Sequence, residues 1–187
     1  MKLNFLLRII DLLLALAVLP ICLVLCFILC LTTICVDGVN PIFVQVRVGR
    51  FKRPFKVFKL RTLCRSTVEM PSHQLSSCML LKVGKFYRRY KLDELPQILN
   101  VILGQMSFVG PRPCLPTQTE LIKLREKAYI FEVRPGITGL SQVRGIDMSE
   151  PNELTLTDFK AVQNMNLTIY LELLLATLFR RKIRVNK

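Results

Sequence analysis

Residues 12–36 read LLLALAVLPICLVLCFILCLTTICV, twenty-five consecutive positions without a charge. Roughly 20 apolar residues suffice to cross a bilayer as a helix, so this stretch belongs in lipid. No small-x-small cleavage site follows it, and it is longer than the apolar core of a signal peptide, so it is expected to be retained. Pro20 removes a backbone donor within the run and crowds the preceding turn, which predicts a kink or break there. The arm after Pro20 would reach about 24 Å and the uncharged arm before it about 12 Å, so neither spans alone. Lys2 and Arg8 precede the run; Arg47, Arg50, Lys52 and Arg53 follow it. Positive flanks favour the cytoplasmic side, and basic residues at both ends imply a re-entrant hairpin. An ordinary kinked transmembrane helix satisfies the same residues, because proline is tolerated where neighbours re-satisfy the backbone. Either topology puts the chain after Val36 in the cytoplasm. Cys22, Cys26 and Cys30 share one helical face and read as packing residues, since no histidine or acid lies near them to complete a metal site.

Working outward, the whole chain has 187 residues, the length of one folded unit, with 51% hydrophobic residues and a mean hydropathy of +0.40. Lys and Arg outnumber Asp and Glu by 27 to 13, a net charge of +14. Oily and basic together indicate a membrane surface. Four of the seven cysteines lie inside the apolar run, which argues against a disulfide scaffold. The one histidine, His73, sits in a polar stretch from Ser72 to Ser77 and reads as a loop residue. It excludes two-His zinc sites and leaves any Ser-His-Asp chemistry resting on that residue alone.

After the turn residues Asp37-Gly38 and Asn40-Pro41, Ile42, Val44, Val46 and Val48 alternate with Phe43, Gln45 and Arg47. This pattern predicts a strand, and Phe55–Arg61 predicts a second one across a basic turn at 49–54. The hairpin would carry Arg47, Arg50, Lys56, Lys59 and Arg61, cations able to meet phosphate or lipid headgroups. Leu92-Asp-Glu-Leu-Pro-Gln97 then sets two acids among many cations. Asp93 can cap a helix with Glu94 in its first turn and an apolar stripe of Leu95, Ile98, Leu99, Ile102 and Leu103 ending at Gly104. Capping alone accounts for both acids. A carboxylate that stays ionised beside several cations also suits a nucleophile or a Mg²⁺ ligand.

In Ser107-Phe-Val-Gly-Pro-Arg-Pro113 the prolines hold Arg112 on a stiff turn, so its planar fork can meet an oxyanion at little ordering cost. Arg134-Pro-Gly-Ile-Thr-Gly139 is a second such turn. Helices are expected over 120–131 and 157–179, the latter interfacial and closed by Arg180, Arg181, Lys182 and Arg184.

Taken in order, the proline-interrupted apolar run, Pro41-Ile-Phe-Val-Gln-Val-Arg-Val-Gly-Arg50, Lys59-Leu-Arg-Thr62, Leu92-Asp-Glu-Leu-Pro-Gln97, Gly110-Pro-Arg-Pro113 and Arg134-Pro-Gly-Ile-Thr-Gly-Leu140 resemble the bacterial sugar transferases. More narrowly, the chain is similar to the small monotopic phosphoglycosyl transferases, in their minimal form without a further transmembrane bundle. The resemblance implies transfer of a sugar-1-phosphate from a UDP-sugar to polyprenol (undecaprenyl) phosphate, the first membrane step of bacterial glycan assembly. It implies that Asp93 attacks phosphorus and becomes covalently bonded to the phospho-sugar, while Glu94 helps hold Mg²⁺. Arg112 matches the family's phosphate-binding arginine, and Lys59, Arg88 and Arg61 become substrate-binding candidates. The implied fold is mixed α/β: residues 1–36 a re-entrant membrane helix broken at Pro20, and residues 37–187 a small membrane-associated domain of short amphipathic helices and a β-hairpin or small sheet. The implied location is the bacterial inner membrane, catalytic domain on the cytoplasmic face.

Three departures from the family pattern stand out. Leu19-Pro20 replaces Ser-Pro at the membrane break, removing a serine hydrogen bond that would help fix a bend. Arg144-Gly-Ile-Asp147-Met-Ser149 stands where Gly-Arg-Asn is common, so no sugar-binding role is carried over there. Gln163-Asn-Met-Asn-Leu167 lacks the usual interfacial tryptophan, while Asp158 upstream matches an acid of the pattern. The rival reading is a non-enzymatic basic module anchored in the membrane, binding anionic lipid or nucleic acid. With no Trp and four Tyr in the chain, stacking platforms among the basic residues are missing, which argues against nucleic acid. Sugar identity, glycan pathway and oligomeric state are not written in these residues.

Overall fold

Helix α1 occupies Lys2–Asp37 in the computed structural model, which describes residues 2–64 and 80–179. His73 and the basic residues from Arg180 onward lie outside the described residues. Helical geometry holds on both sides of Pro20, which lies inside one continuous helical element. A single missing donor does not end a helix whose neighbouring turns are all satisfied. At 1.5 Å per residue its 36 residues extend for about 54 Å along the helix path. One face is bare and apolar: Leu13, Ile21, Val24 and Phe27 are each more than 60% exposed.

The rest of the chain packs on the opposite face of α1 along most of its length. Arg8 Nη2 donates to the Ile102 carbonyl at 3.3 Å. Asp11 Oδ1 accepts from Ser107 Oγ at 3.0 Å, the Phe108 N–H at 2.9 Å and Tyr170 Oη at 2.6 Å. Ala15 is fully buried in a core with Phe55, Val57, Ile98, Val101 and Met106, against which Leu19 and Cys22 also pack. Near the other end, Tyr87 Oη donates to the Leu29 carbonyl at 2.8 Å. Asp37 accepts from the Lys82 N–H at 2.9 Å. Helix α1 is thus part of the core of the domain that follows it.

The expected hairpin forms from β1 (Ile42–Val48) and β2 (Pro54–Leu60), antiparallel, with Phe43 opposite Lys59 and Arg47 opposite Phe55. Its alternation is inverted on β1. Ile42, Val44 and Val46 point outward, while Gln45 and Arg47 are buried with Val57 and Phe55. The buried arginine is satisfied by Gln45 Oε1 at 2.6 Å and the Pro113 carbonyl at 3.2 Å, as buried charge requires. β2 is clamped by fully buried Asn100, which accepts from the Phe58 N–H at 3.1 Å and donates to the Lys56 carbonyl at 2.7 Å.

Helix α2 (Gly84–Tyr90) precedes a 3-10 segment, Leu92–Gln97, that runs into α3 (Ile98–Ile102). Lys91, in the left-handed conformation, occupies the N-cap, so Asp93 is not the cap but lies with Glu94 in the first turn. The expected apolar stripe divides: Ile98 faces the core, whereas Leu99 and Leu103 are exposed at 40% and 64%. Strand β3 (Ser107–Val109) pairs in parallel with β4 (Gly136–Thr138), joining the two Pro-Gly turns that the sequence leaves separate. A Cβ on Gly136 would lie 2.1 Å from the Gly110 nitrogen, so only glycine allows this approach.

Helices α4 (Thr119–Lys127), α5 (Leu140–Arg144), α6 (Pro151–Gln163) and α7 (Leu167–Leu178) complete the domain. The single helix expected over 157–179 is two helices. Asn166 caps α7 by accepting from the Ile169 N–H at 2.9 Å, and an N-cap residue cannot itself be helical. The helix expected over 120–131 ends at Lys127 and continues only as a 3-10 turn at Ile130–Glu132.

Candidate active site

Leu92–Gln97 lies against β2, which brings Asp93 and Glu94 to Lys59, and α2 supplies Arg88 from the adjoining side. The left-handed Lys91 turns the chain sharply between α2 and the acids, so Arg88 and Asp93 come close although five residues apart. Glu94 Oε1 accepts from Arg112 Nη2 at 2.7 Å and faces Lys59 Nζ at 3.7 Å. The Glu94 and Lys59 side chains are only 11% and 15% exposed, whereas Arg112 is one-third exposed. The guanidinium therefore forms the open side of the cluster. Arg88 Nε donates to Thr62 Oγ1 at 2.9 Å, which fixes that side chain through the Lys59-Leu-Arg-Thr62 segment.

The two acids are held unequally. Burial would raise the Glu94 carboxyl, but Arg112 and Lys59 overcome it and hold it at about 2. Asp93 moves up from the ordinary carboxylate value, chiefly through burial and then through the Glu94 charge, with Lys59 and Arg88 opposing. Among the described residues Asp93 forms no salt bridge within 4.0 Å. Glu94 is thus paired with two cations, while the Asp93 carboxylate takes a backbone hydrogen bond and feels Lys59 and Arg88 without a salt bridge, an arrangement compatible with a nucleophile beside an anchored partner. Lys59 is brought down to about 8 by burial and by Arg112 and Arg47, against the pull of Glu94 and Asp93. Arg112 moves up because of Glu94.

Of the sequence candidates, Asp93, Glu94, Lys59, Arg88 and Arg112 come together. Arg61 does not join them: it donates to the Asn40 carbonyl at 2.9 Å and lies over the Phe43 ring at 5.5 Å. Arg47, on the sequence pattern one cation of the hairpin face, is buried, and its charge lowers Lys59.

Behind Arg112 stands a relay that sequence reasoning missed, apart from noting Asp158. Arg125, 2% exposed, donates through Nη1 to the Arg112 carbonyl at 2.7 Å and through Nη2 to Asp158 Oδ2 at 2.6 Å. Ser141 Oγ donates to the other Asp158 oxygen at 2.6 Å. Helices α4, α5 and α6 thereby hold the backbone of the Pro-Arg-Pro turn, adding to the stiffness of the prolines. Arg125 is spaced as an ordinary surface cation of α4, so the signal was Asp158 alone.

For a divalent cation, no group of three or more His, Cys, Asp or Glu side chains converges among the described residues. Adjacent carboxylates at 93 and 94 nevertheless suit Mg²⁺, a hard cation usually held by one or two carboxylates with substrate phosphates completing its shell.

A model of the bacterial sugar transferase family matches residues 3–182. The chain is 36% identical over 148 residues to a UDP-glucose:undecaprenyl-phosphate glucose-1-phosphate transferase of Klebsiella pneumoniae, covering 74% of the chain and 32% of that protein. A protein of the same name from Caulobacter vibrioides is 41% identical over 109 residues, 56% of the chain and 41% of the relative. An uncharacterised sugar transferase of Bacillus subtilis is 35% identical over 153 residues, 79% of the chain and 72% of the relative. The chain thus spans about a third to two-fifths of the two named glucose-1-phosphate transferases and most of the Bacillus protein.

Proposed function

This chain belongs to the bacterial sugar transferase family, and from that premise we propose that it transfers a sugar-1-phosphate from a UDP-sugar to undecaprenyl phosphate through a covalent intermediate on Asp93. The observation that carries the reading is the division of labour between the acids: Glu94 clamped by Arg112 and Lys59, Asp93 beside them without an ion pair. The relatives named for UDP-sugar and undecaprenyl phosphate support the two substrates.

In the first half-reaction an Asp93 carboxylate oxygen bonds to the sugar-bearing phosphorus, the bond from that phosphorus to the bridging oxygen breaks, and UMP leaves with the electron pair. In the second, an oxygen of undecaprenyl phosphate attacks the same phosphorus, the acyl phosphate bond breaks, and Asp93 is regenerated as carboxylate. Two in-line displacements at one phosphorus replace one difficult encounter of two large phosphates. Arg112, on the open side, and Arg88 stabilise the charge on the transferring group; Lys59 keeps Glu94 ionised and adds a third cation. Mg²⁺, held with the help of Glu94, would supply the charge neutralisation that lets one anion approach another. Nothing comparable is needed by a module that binds acidic surfaces through net charge, since burying two acids among the cations weakens its field.

The bare apolar face of α1 is the part that meets lipid. One domain packs near both ends of the helix, which supports a re-entrant helix entering and leaving on the same, cytoplasmic, face of the inner membrane. The domain then sits at the depth of the acceptor's phosphate.

The test is purified protein with Mg²⁺, undecaprenyl phosphate and a panel of UDP-sugars, scored by UMP release. One or a few donors should give turnover, and Asp93→Asn should lower it on the order of 10³-fold or more. Near-normal turnover by that variant would remove the nucleophile.

A further inference from the structure

Between α1, the Arg134 turn, α6 and α7 lies a cavity of about 100 Å³ that none of Asp93, Glu94, Lys59, Arg88 or Arg112 lines. Its walls are apolar at Leu7, Leu140 and Leu173, yet three arginines, Arg8, Arg50 and Arg134, border it. Each has a hydrogen bond to a neutral carbonyl: Arg8 Nη2 to Ile102 at 3.3 Å, Arg134 Nε to Gly104 at 2.9 Å, Arg50 Nε to Glu132 at 2.7 Å. None of the three is in a salt bridge among the described residues. Arg8 Nη1 is buried and has no hydrogen-bond partner among the described residues. A buried guanidinium arm without an acceptor is costly and calls for an anion.

Two buried acids, Asp11 and Asp158, also line the cavity, and neither forms a salt bridge with any of the three arginines. Asp158 is taken by Arg125 and Ser141, and three donors converge on Asp11 Oδ1. Glu132, itself exposed, meets Arg50 through its carbonyl. Burial, then Arg8 and Arg50, lower the Arg134 guanidinium pKa, and Asp11 only partly offsets them.

Position identifies the anion. Arg8 stands one helical turn before the uncharged run begins at Leu12. On the opposite wall, α7 contributes Tyr170 and Leu173 while exposing Leu171, Leu175 and Leu178 outward. The cavity therefore lies where apolar surface gives way to charge, the depth of phospholipid phosphates. We propose that Arg8 and Arg134, with Arg50 beside them, bind the phosphate group of an anionic membrane lipid at a site separate from the Asp93 centre. This does not depend on the transferase chemistry, because none of the three arginines belongs to the Asp93 centre.

The full chain in neutral detergent, examined by native mass spectrometry during titration with phosphatidylglycerol, tests it, with diacylglycerol as the phosphate-free control and inorganic phosphate as a parallel arm. One phosphatidylglycerol should be retained and diacylglycerol should not. Arg8→Gln and Arg134→Gln should each weaken retention at least tenfold, while Lys123→Gln, an exposed cation elsewhere on α4, should leave it unchanged. Arg50→Gln is a milder variant should either of the first two lose its helical circular dichroism. If inorganic phosphate is retained as tightly and is lost in the same variants, the site is upheld with free phosphate as its ligand. Equal retention by the arginine variants and the intact chain, or equal loss in Lys123→Gln, would overturn the proposal.

Discussion

Glu94 and Lys59 are both displaced from their ordinary values, and the signs differ in consequence. Glu94, held at about 2, is ionised at every working pH. Its folded value lies below its unfolded one, so it contributes stability above about pH 4.5 that is lost as the pH falls toward 2, on the order of 3 kcal/mol. Lys59 is protonated in both states below about pH 8 and adds no slope there; between its folded value of about 8 and its unfolded 10.5, stability rises with pH. Under the proposed mechanism the acid limb of activity would belong to Asp93, whose carboxyl protonates before that of Glu94, and the alkaline limb to Lys59. A pH–rate profile should fall above about pH 8. Arg88→Ala should move the acid limb to higher pH, because Arg88 is one of the two cations lowering Asp93. An acid limb unmoved by Arg88→Ala would remove Asp93 from that assignment. At this scale the sequence was informative where residues are adjacent, as in Leu-Asp-Glu-Leu-Pro. It did not reveal that Arg47 is buried, because which side of a hairpin is covered depends on what packs against it, and here the polar set of β1 turned inward.

At the level of elements, the Pro-Arg-Pro turn is held by a buried pair that links three helices. Removing one partner leaves the other charge buried and unpaired, which costs about 3–5 kcal/mol. Asp158→Asn should therefore lower the denaturant midpoint and also reduce turnover, because Arg125 holds the Arg112 carbonyl. Denaturant titration alongside UMP release would check this; loss of stability with unchanged turnover would show that the relay supports the fold without positioning Arg112. The hairpin was legible from its alternation and turn residues. The break between α6 and α7 was hidden because the leucine-rich run beginning at Leu167 outweighed a single capping asparagine. The parallel β3–β4 pair was not legible, since strands of three residues leave no periodic trace, and only the close approach of Gly110 and Gly136 permits them.

For the molecule as a whole, composition and the charge-free run pointed to a basic protein with one long apolar helix, but not to Ala15 of this helix lying in the domain core. That depends on contacts between residues tens of positions apart, which no local pattern encodes. The re-entrant arrangement predicts that tags at the N-terminus and after Leu178 are both shielded from impermeant reagents added outside cells, and that lysis exposes both. Labelling of the N-terminal tag alone in intact cells would mean a true crossing. The proposed mechanism turns on one carbon–oxygen–phosphorus linkage. The most direct measurement is intact-protein mass after mixing the enzyme with Mg²⁺ and its UDP-sugar in the absence of acceptor. The account predicts a mass increase of one sugar phosphate, located on Asp93 by peptide mapping and discharged when undecaprenyl phosphate is added. Product formation under conditions where no such adduct appears at any time would contradict it.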